Sequence, residues 1–109
     1  MPTRLPWHDG RAAVKGYILA EVEVTDAALF EQYRPLAAAS IAQYGGRYLV
    51  RGGAVEQVEG EGPERRVVLL EFDSPARARE WYYSPEYTAA RAMRERAART
   101  RVRFVDGAP

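Results

Sequence analysis

The chain has 109 residues, 47% hydrophobic and 28% charged, with 16 Lys+Arg against 15 Asp+Glu and a formal net charge of +1. These values describe one folded domain with no room for a second, and the balanced charge gives no global field to hold nucleic acid or an anionic membrane. Cysteine is absent and histidine occurs once, which excludes disulfide frameworks and thiolate nucleophiles and leaves Cys/His zinc sites and Ser-His-Asp triads almost no footing. No apolar run approaches the roughly 20 residues of a membrane span, and the first residues lack a signal peptide's apolar stretch, so a cytoplasmic location is expected.

Residues 1–14 hold Pro2, Pro6 and Gly10 without periodicity and read as an extended arm carrying Trp7 and His8, to which no chemistry is assigned. Residues 15–24, KGYILAEVEV, alternate with the two-residue period of a strand. Thr25 then offers a capping hydroxyl and Asp26 a first-turn carboxylate to a helix whose apolar positions include Leu29, Phe30, Tyr33, Ala37, Ile41 and Tyr44. Pro35 removes one backbone bond and predicts a kink near residues 31–34, and Gly45 with Gly46 ends the helix. A short strand, Arg47–Arg51, leads to a bulge or bend at Gly52-Gly53; residues 54–58 are expected to continue the strand and residues 59–64 to turn. Arg66–Phe72 reads as a central strand. Ser74-Pro75 and Ser84-Pro85 punctuate a second helix broken in two, and residues 100–105 close as a strand.

Strand, helix, strand, strand, helix, strand is the ferredoxin-like α+β plan, βαββαβ, a four-stranded antiparallel sheet with its helices on one face, here over residues 15–107. Parity puts Ile18, Ala20 and Val22 under the helices, with Tyr48 and Val50, Val68, Leu70 and Phe72, and Val102 and Phe104. The opposite face carries Leu19, Glu21, Leu49, Arg51, Val67, Leu69 and Glu71, a mixture of apolar and ionic groups. Such a face invites self-association, and two copies meeting through it would enclose a chamber with a polar lining. A structural ion-pair network that only fixes the dimer register competes evenly with a ligand site in that chamber.

Residues 44–53, YGGRYLVRGG, with Glu71-Phe72 and the stretch Ser84-Pro85-Glu86-Tyr87, resemble the bacterial domain-of-unknown-function family 1330 within the dimeric α/β-barrel superfamily. The resemblance implies a ferredoxin-like fold and a homodimer closed through its sheets. It implies no reaction; other branches of the superfamily include cofactor-free monooxygenases, haem-degrading enzymes and lactone isomerases, and the domain offers no histidine to ligate haem.

Candidate chemistry falls to a few side chains. Glu71, in an otherwise apolar strand, is a candidate general base, and Arg51, before two glycines, a clamp for a carboxylate or enolate; a salt link between the two is the structural alternative. Tyr33 and Tyr44 are candidate oxyanion donors, and Glu21, Tyr87 and Arg91 candidate substrate contacts. From Pro75 to Arg103 eight arginines face three glutamates, which reads first as a solvated helix face and second as an anion-binding surface. Two functions remain open: a small homodimeric enzyme, free of cofactor and metal, that abstracts a proton from an organic acid or carbonyl compound, or a non-catalytic dimer that binds a small metabolite.

Overall fold

The computed structural model describes residues 14–109; apart from Val14, the expected N-terminal arm with Trp7 and His8 lies outside the described residues. Seven elements follow in order: β1 Gly16–Val24, α1 Ala27–Gln43, β2 Arg47–Arg51, β3 Arg66–Phe72, α2 Pro75–Tyr82, α3 Pro85–Ala97 and β4 Ala98–Asp106. The strands form one antiparallel sheet in the order β2-β3-β1-β4. This is the expected ferredoxin-like βαββαβ plan with its second helix divided. Among the described residues no helix is long and apolar enough to cross a membrane.

The strand alternation of β1 decides which side is buried. Ile18 joins Leu70 and Phe72 of β3 in a core with Ala37 and Ile41 of α1, Ala78 and Trp81 of α2, and Tyr87 and Ala90 of α3. Burial of these apolar side chains, each contributing about 1.5–3 kcal/mol when large, holds the helices to the sheet. Val22, Phe30, Ala97 and Ala98 extend the core toward the other end of the sheet. Trp81 donates its indole N–H to Ser40 Oγ at 2.9 Å, and Ser40 donates to the Ala37 carbonyl, so the polar atoms inside this core are paired.

Four local expectations are corrected. Asp26, not Thr25, caps α1, its carboxylate accepting from Leu29 N at 3.1 Å, while the Thr25 and Asp26 amides both donate to the Ala97 carbonyl. The strand expected over residues 54–58 does not form; with Val58 83% exposed, no neighbouring strand buries its side chains. β4 begins at Ala98, directly at the end of α3. The largest correction lies in β2, where Tyr48 pairs with Leu70, Val50 with Leu69 and Arg51 with Val68, leaving Leu49 as an extra residue in a bulge. One inserted residue exchanges the faces of everything after it, so Val50 turns to the open face and Arg51 to the helix side.

Candidate functional site

Residues on α3 recur on one buried stripe, Tyr87, Ala90, Arg94 and Ala97. The helix is started by Ser84, whose hydroxyl accepts from Tyr87 N at 3.1 Å and donates to the Trp81 carbonyl at 2.7 Å. Serine therefore fixes the first turn and takes no nucleophilic role. Helical spacing then brings Arg94, two turns beyond Tyr87, into the protein with only 7% of its surface exposed.

Arg94 Nη1 donates to the Tyr87 hydroxyl at 3.1 Å, and the Tyr87 and Tyr33 hydroxyls share a hydrogen bond of 2.7 Å. Arg94 Nε is buried without a partner, and among the described residues no carboxylate pairs with the guanidinium. Burial disfavours its charge, yet the hydroxyls of Tyr87, Tyr82 and Tyr33 outweigh that penalty and raise its pKa, so Arg94 is a permanent cation. Burial also raises the pKa of Tyr33 and of Tyr87, which keeps both as neutral phenols. Two phenolic protons are present and only one is spent between the pair; the other has no acceptor within it.

These groups line a cavity of about 60 Å³ between the sheet and the helices, room for several water-sized groups where one needs roughly 10–15 Å³. Its walls are apolar, with Ile18, Val22, Val68, Leu70, Trp81 and Val102 contributing. Among the described residues that line it there is no aspartate, glutamate or histidine; the ionisable groups are tyrosines and arginines. Tyr82 also lines the cavity. Burial would raise its phenol, but hydrogen bonds from Arg94 and Arg91 prevail and lower its pKa, so it is the phenol there most readily ionised.

Of the residues singled out from the sequence, Tyr33 and Tyr87 meet in this cavity. Arg51 reaches its rim rather than an inter-sheet chamber, turned there by the bulge, and lies over the Tyr48 ring at 4.3 Å. The expected link between Arg51 and Glu71 is therefore not made. Glu71 stands on the opposite face of the sheet, where Arg47 pairs with Oε1 and the Tyr17 hydroxyl donates to Oε2 at 2.7 Å. The Tyr17 hydrogen bond first, and the Arg47 guanidinium after it, overcome the effect of burial and hold the carboxyl below its usual range; such a group is a poor base and is out of reach of the cavity. Glu21 is on that same open face, 3.7 Å from Arg101. Tyr44 donates to Glu86 at 2.7 Å and does not line the cavity. Arg91 lies over the Tyr82 ring at 4.9 Å, behind the cavity wall. Arg94 was missed. Its signal was an arginine on the apolar stripe of a helix, hidden among eight arginines read together as a solvated face.

The antiparallel sheet order β2-β3-β1-β4 with its helices on one face defines a ferredoxin-like α+β fold, here with a tyrosine-arginine cavity under the helices. The chain belongs to the family described as a domain of unknown function, DUF1330, whose model matches residues 15–108. No curated protein matches it. A protein of unknown function from Rhodopseudomonas palustris is 20% identical over 100% of this chain and 96% of that one, with a TM-score of 0.68. A Caulobacter crescentus protein, assigned provisionally as an antibiotic biosynthesis monooxygenase, is 18% identical over 89% and 92% of the two chains, with a TM-score of 0.63. SnoaB, a cofactor-independent oxygenase from Streptomyces nogalater, is 12% identical over 89% and 96%, with a TM-score of 0.57. At these identities the likeness is one of fold.

Glu71 binds its proton more weakly in the folded chain than in the unfolded one. Its contribution to stability is thus complete above the ordinary carboxylate pKa and is lost as pH falls through the lowered folded value. Glu71→Gln is expected to unfold at lower denaturant concentration than the native protein at pH 7, with the difference closing below about pH 4; a difference that is constant with pH would contradict the ion-pair account.

Proposed function

We propose that the protein binds a small organic acid or carbonyl compound as its anion in the cavity beneath the helices. Arg94 holds a carboxylate or enolate oxygen, and the spare phenolic proton of the Tyr33–Tyr87 pair supplies a second hydrogen bond. The observation that carries this reading is the buried guanidinium whose Nε has no partner and whose surroundings contain no acid among the described residues. An uncompensated buried cation is costly to a fold, by several kcal/mol, and a well-packed apolar residue in its place is often neutral or stabilising. An anionic ligand is the partner that such a site lacks.

Binding alone needs nothing further. A catalytic reading of the same site uses Tyr82, which lines the cavity with Arg94: after its own proton is given to solvent, its phenolate takes a proton from the carbon next to a carbonyl. The C–H electron pair then forms the carbon–carbon double bond while the carbonyl π pair moves onto oxygen, where Arg94 stabilises the enolate. In this role Tyr82 replaces Glu71, the base expected from the sequence.

The quaternary part of the proposal is a homodimer joined through the open sheet face. Leu49, Val50 and Val105 are 47%, 36% and 44% exposed there, beside half-buried Leu19, Val67 and Leu69. The ion pairs of Glu21 with Arg101, Glu23 with Arg99 and Glu71 with Arg47 lie around this apolar centre. A second copy covers such a patch and leaves the paired charges at the rim.

Arg94→Met is expected to lose hexanoate binding by at least about tenfold in calorimetry while unfolding at the same or higher free energy, by up to about 2 kcal/mol; unchanged affinity would refute the anchor. With 2-oxobutyrate in deuterated buffer, the native protein should accelerate loss of the α-proton NMR signal and Tyr82→Phe should not, whereas binding without exchange leaves the binding reading as the function. Sedimentation at micromolar concentration should give about twice the 12.3 kDa chain mass, and Leu69→Glu should return it to the single-chain value.

A further inference from the structure

Four arginines line the cavity, and only Arg94 is within it. Arg51 at the end of β2 is exposed, and Arg66 at the start of β3 and Arg34 on α1 are half-buried. Arg34 reaches Glu31 at 3.2 Å. Among the described residues neither Arg51 nor Arg66 has a carboxylate partner; each is held by an aromatic ring instead. Arg51 Cζ lies 4.3 Å from the centre of the Tyr48 ring, and Arg66 Cζ lies 5.5 Å from that of Phe30. Stacking occupies the flat face of a guanidinium and leaves its in-plane N–H donors free, the arrangement that receives an oxyanion.

The sheet register sets the two side by side. Arg51 stands opposite Val68, and Arg66 is two residues along the same strand, on the same face, so the pair are diagonal neighbours with Cα atoms roughly 7–8 Å apart. Gly52 completes the placement. Its φ is +73°, and a Cβ there would come within 2.6 Å of Arg66 Nε, so a bare backbone is what lets the guanidinium lie against it. Glu64, which borders the adjoining surface groove with Arg66, is engaged by the Gln57 amide at 2.9 Å.

Resting on the reading of Arg94 as the inner anion anchor, we propose that the ligand carries a second anionic group, a carboxylate or a phosphoryl group, which Arg51 and Arg66 hold at the entrance. The molecule so described has an apolar body against Val68, Leu70 and Trp81 and a negative charge at each end. The apolar walls, the arginines and phenols that are the cavity's only ionisable lining among the described residues, the two ring-bound cations and the side-chain-free Gly52 all serve that one ligand geometry.

Calorimetry with hexanoate, adipate and 5-phosphonopentanoate separates the ends, since the three share a carboxylate with four methylenes and differ only in the outer group. The native protein should bind adipate or the phosphonate about tenfold more tightly than hexanoate, the ratio expected of a half-exposed pair of charge-assisted hydrogen bonds, and the order of the two assigns the outer group. Replacing both outer arginines, Arg51→Ala with Arg66→Ala, should erase that preference and leave hexanoate affinity within about twofold, with circular dichroism showing the fold intact. Equal affinity of the native protein for all three acids, or a preference that survives the double substitution, overturns the second anion site. Hexanoate binding that Arg94→Met leaves intact overturns the inner anchor instead, so the two failures are distinct.

Discussion

Everything in the functional reading depends on one buried charge that has no counter-ion among the described residues. A guanidinium cannot be neutralised by losing its proton at any pH a protein meets, so the fold must solvate Arg94 with its own dipoles. It does so with phenols: Tyr87 accepts directly and Tyr33 backs it at 2.7 Å. Phenols compensate a cation less completely than a carboxylate does, and the shortfall remains as electrostatic potential inside an apolar-walled space. In low dielectric that potential falls off slowly, so it selects ligands by sign before it selects them by shape.

The two faces of the sheet differ in whether their arginines meet acids. On the open face each of three acids stands opposite an arginine on a neighbouring strand, Glu21 opposite Arg101, Glu23 opposite Arg99 and Glu71 opposite Arg47, while Arg103 stands opposite Leu19. Those pairs lie at 3.6–3.7 Å where exposed to solvent, the kind of contact that fixes register and adds little else. On the helix side the same chain places four arginines around a cavity and no acid among the described residues that line it. The acids of the open face are thus each paired with an arginine, whereas the arginines around the cavity meet no acid among the described residues that line it.

Fold and site were legible to different degrees, for physical reasons. Element order and the central strands follow from the alternation of β1 and the short apolar run of β3 between polar flanks. The paired serine-proline signals placed the break between α2 and α3 because a capping hydroxyl and a first-turn proline act locally. Register is not local. The sequence suggested a bulge or bend at Gly52-Gly53, and the chain does bend at Gly52, but the bulge formed at Leu49, where nothing in the side chain marks it; Arg51 was accordingly assigned the wrong face and Glu71 the wrong partner. Arg94 was overlooked because net charge was counted over a segment rather than read against the apolar stripe on which this one arginine sits.

The bulge at Leu49 also links the two proposed surfaces. Without it, strict alternation would keep Val50 under the helices and send Arg51 to the open face, beside the ion pairs already there. With it, Val50 adds to the exposed apolar centre and Arg51 arrives on Tyr48, next to Arg66 and the cavity. One unpaired residue on an edge strand thereby enriches one face in apolar surface and the other in positive charge. An edge strand is where such an insertion disturbs the fewest ladder bonds, since β2 pairs on one side only.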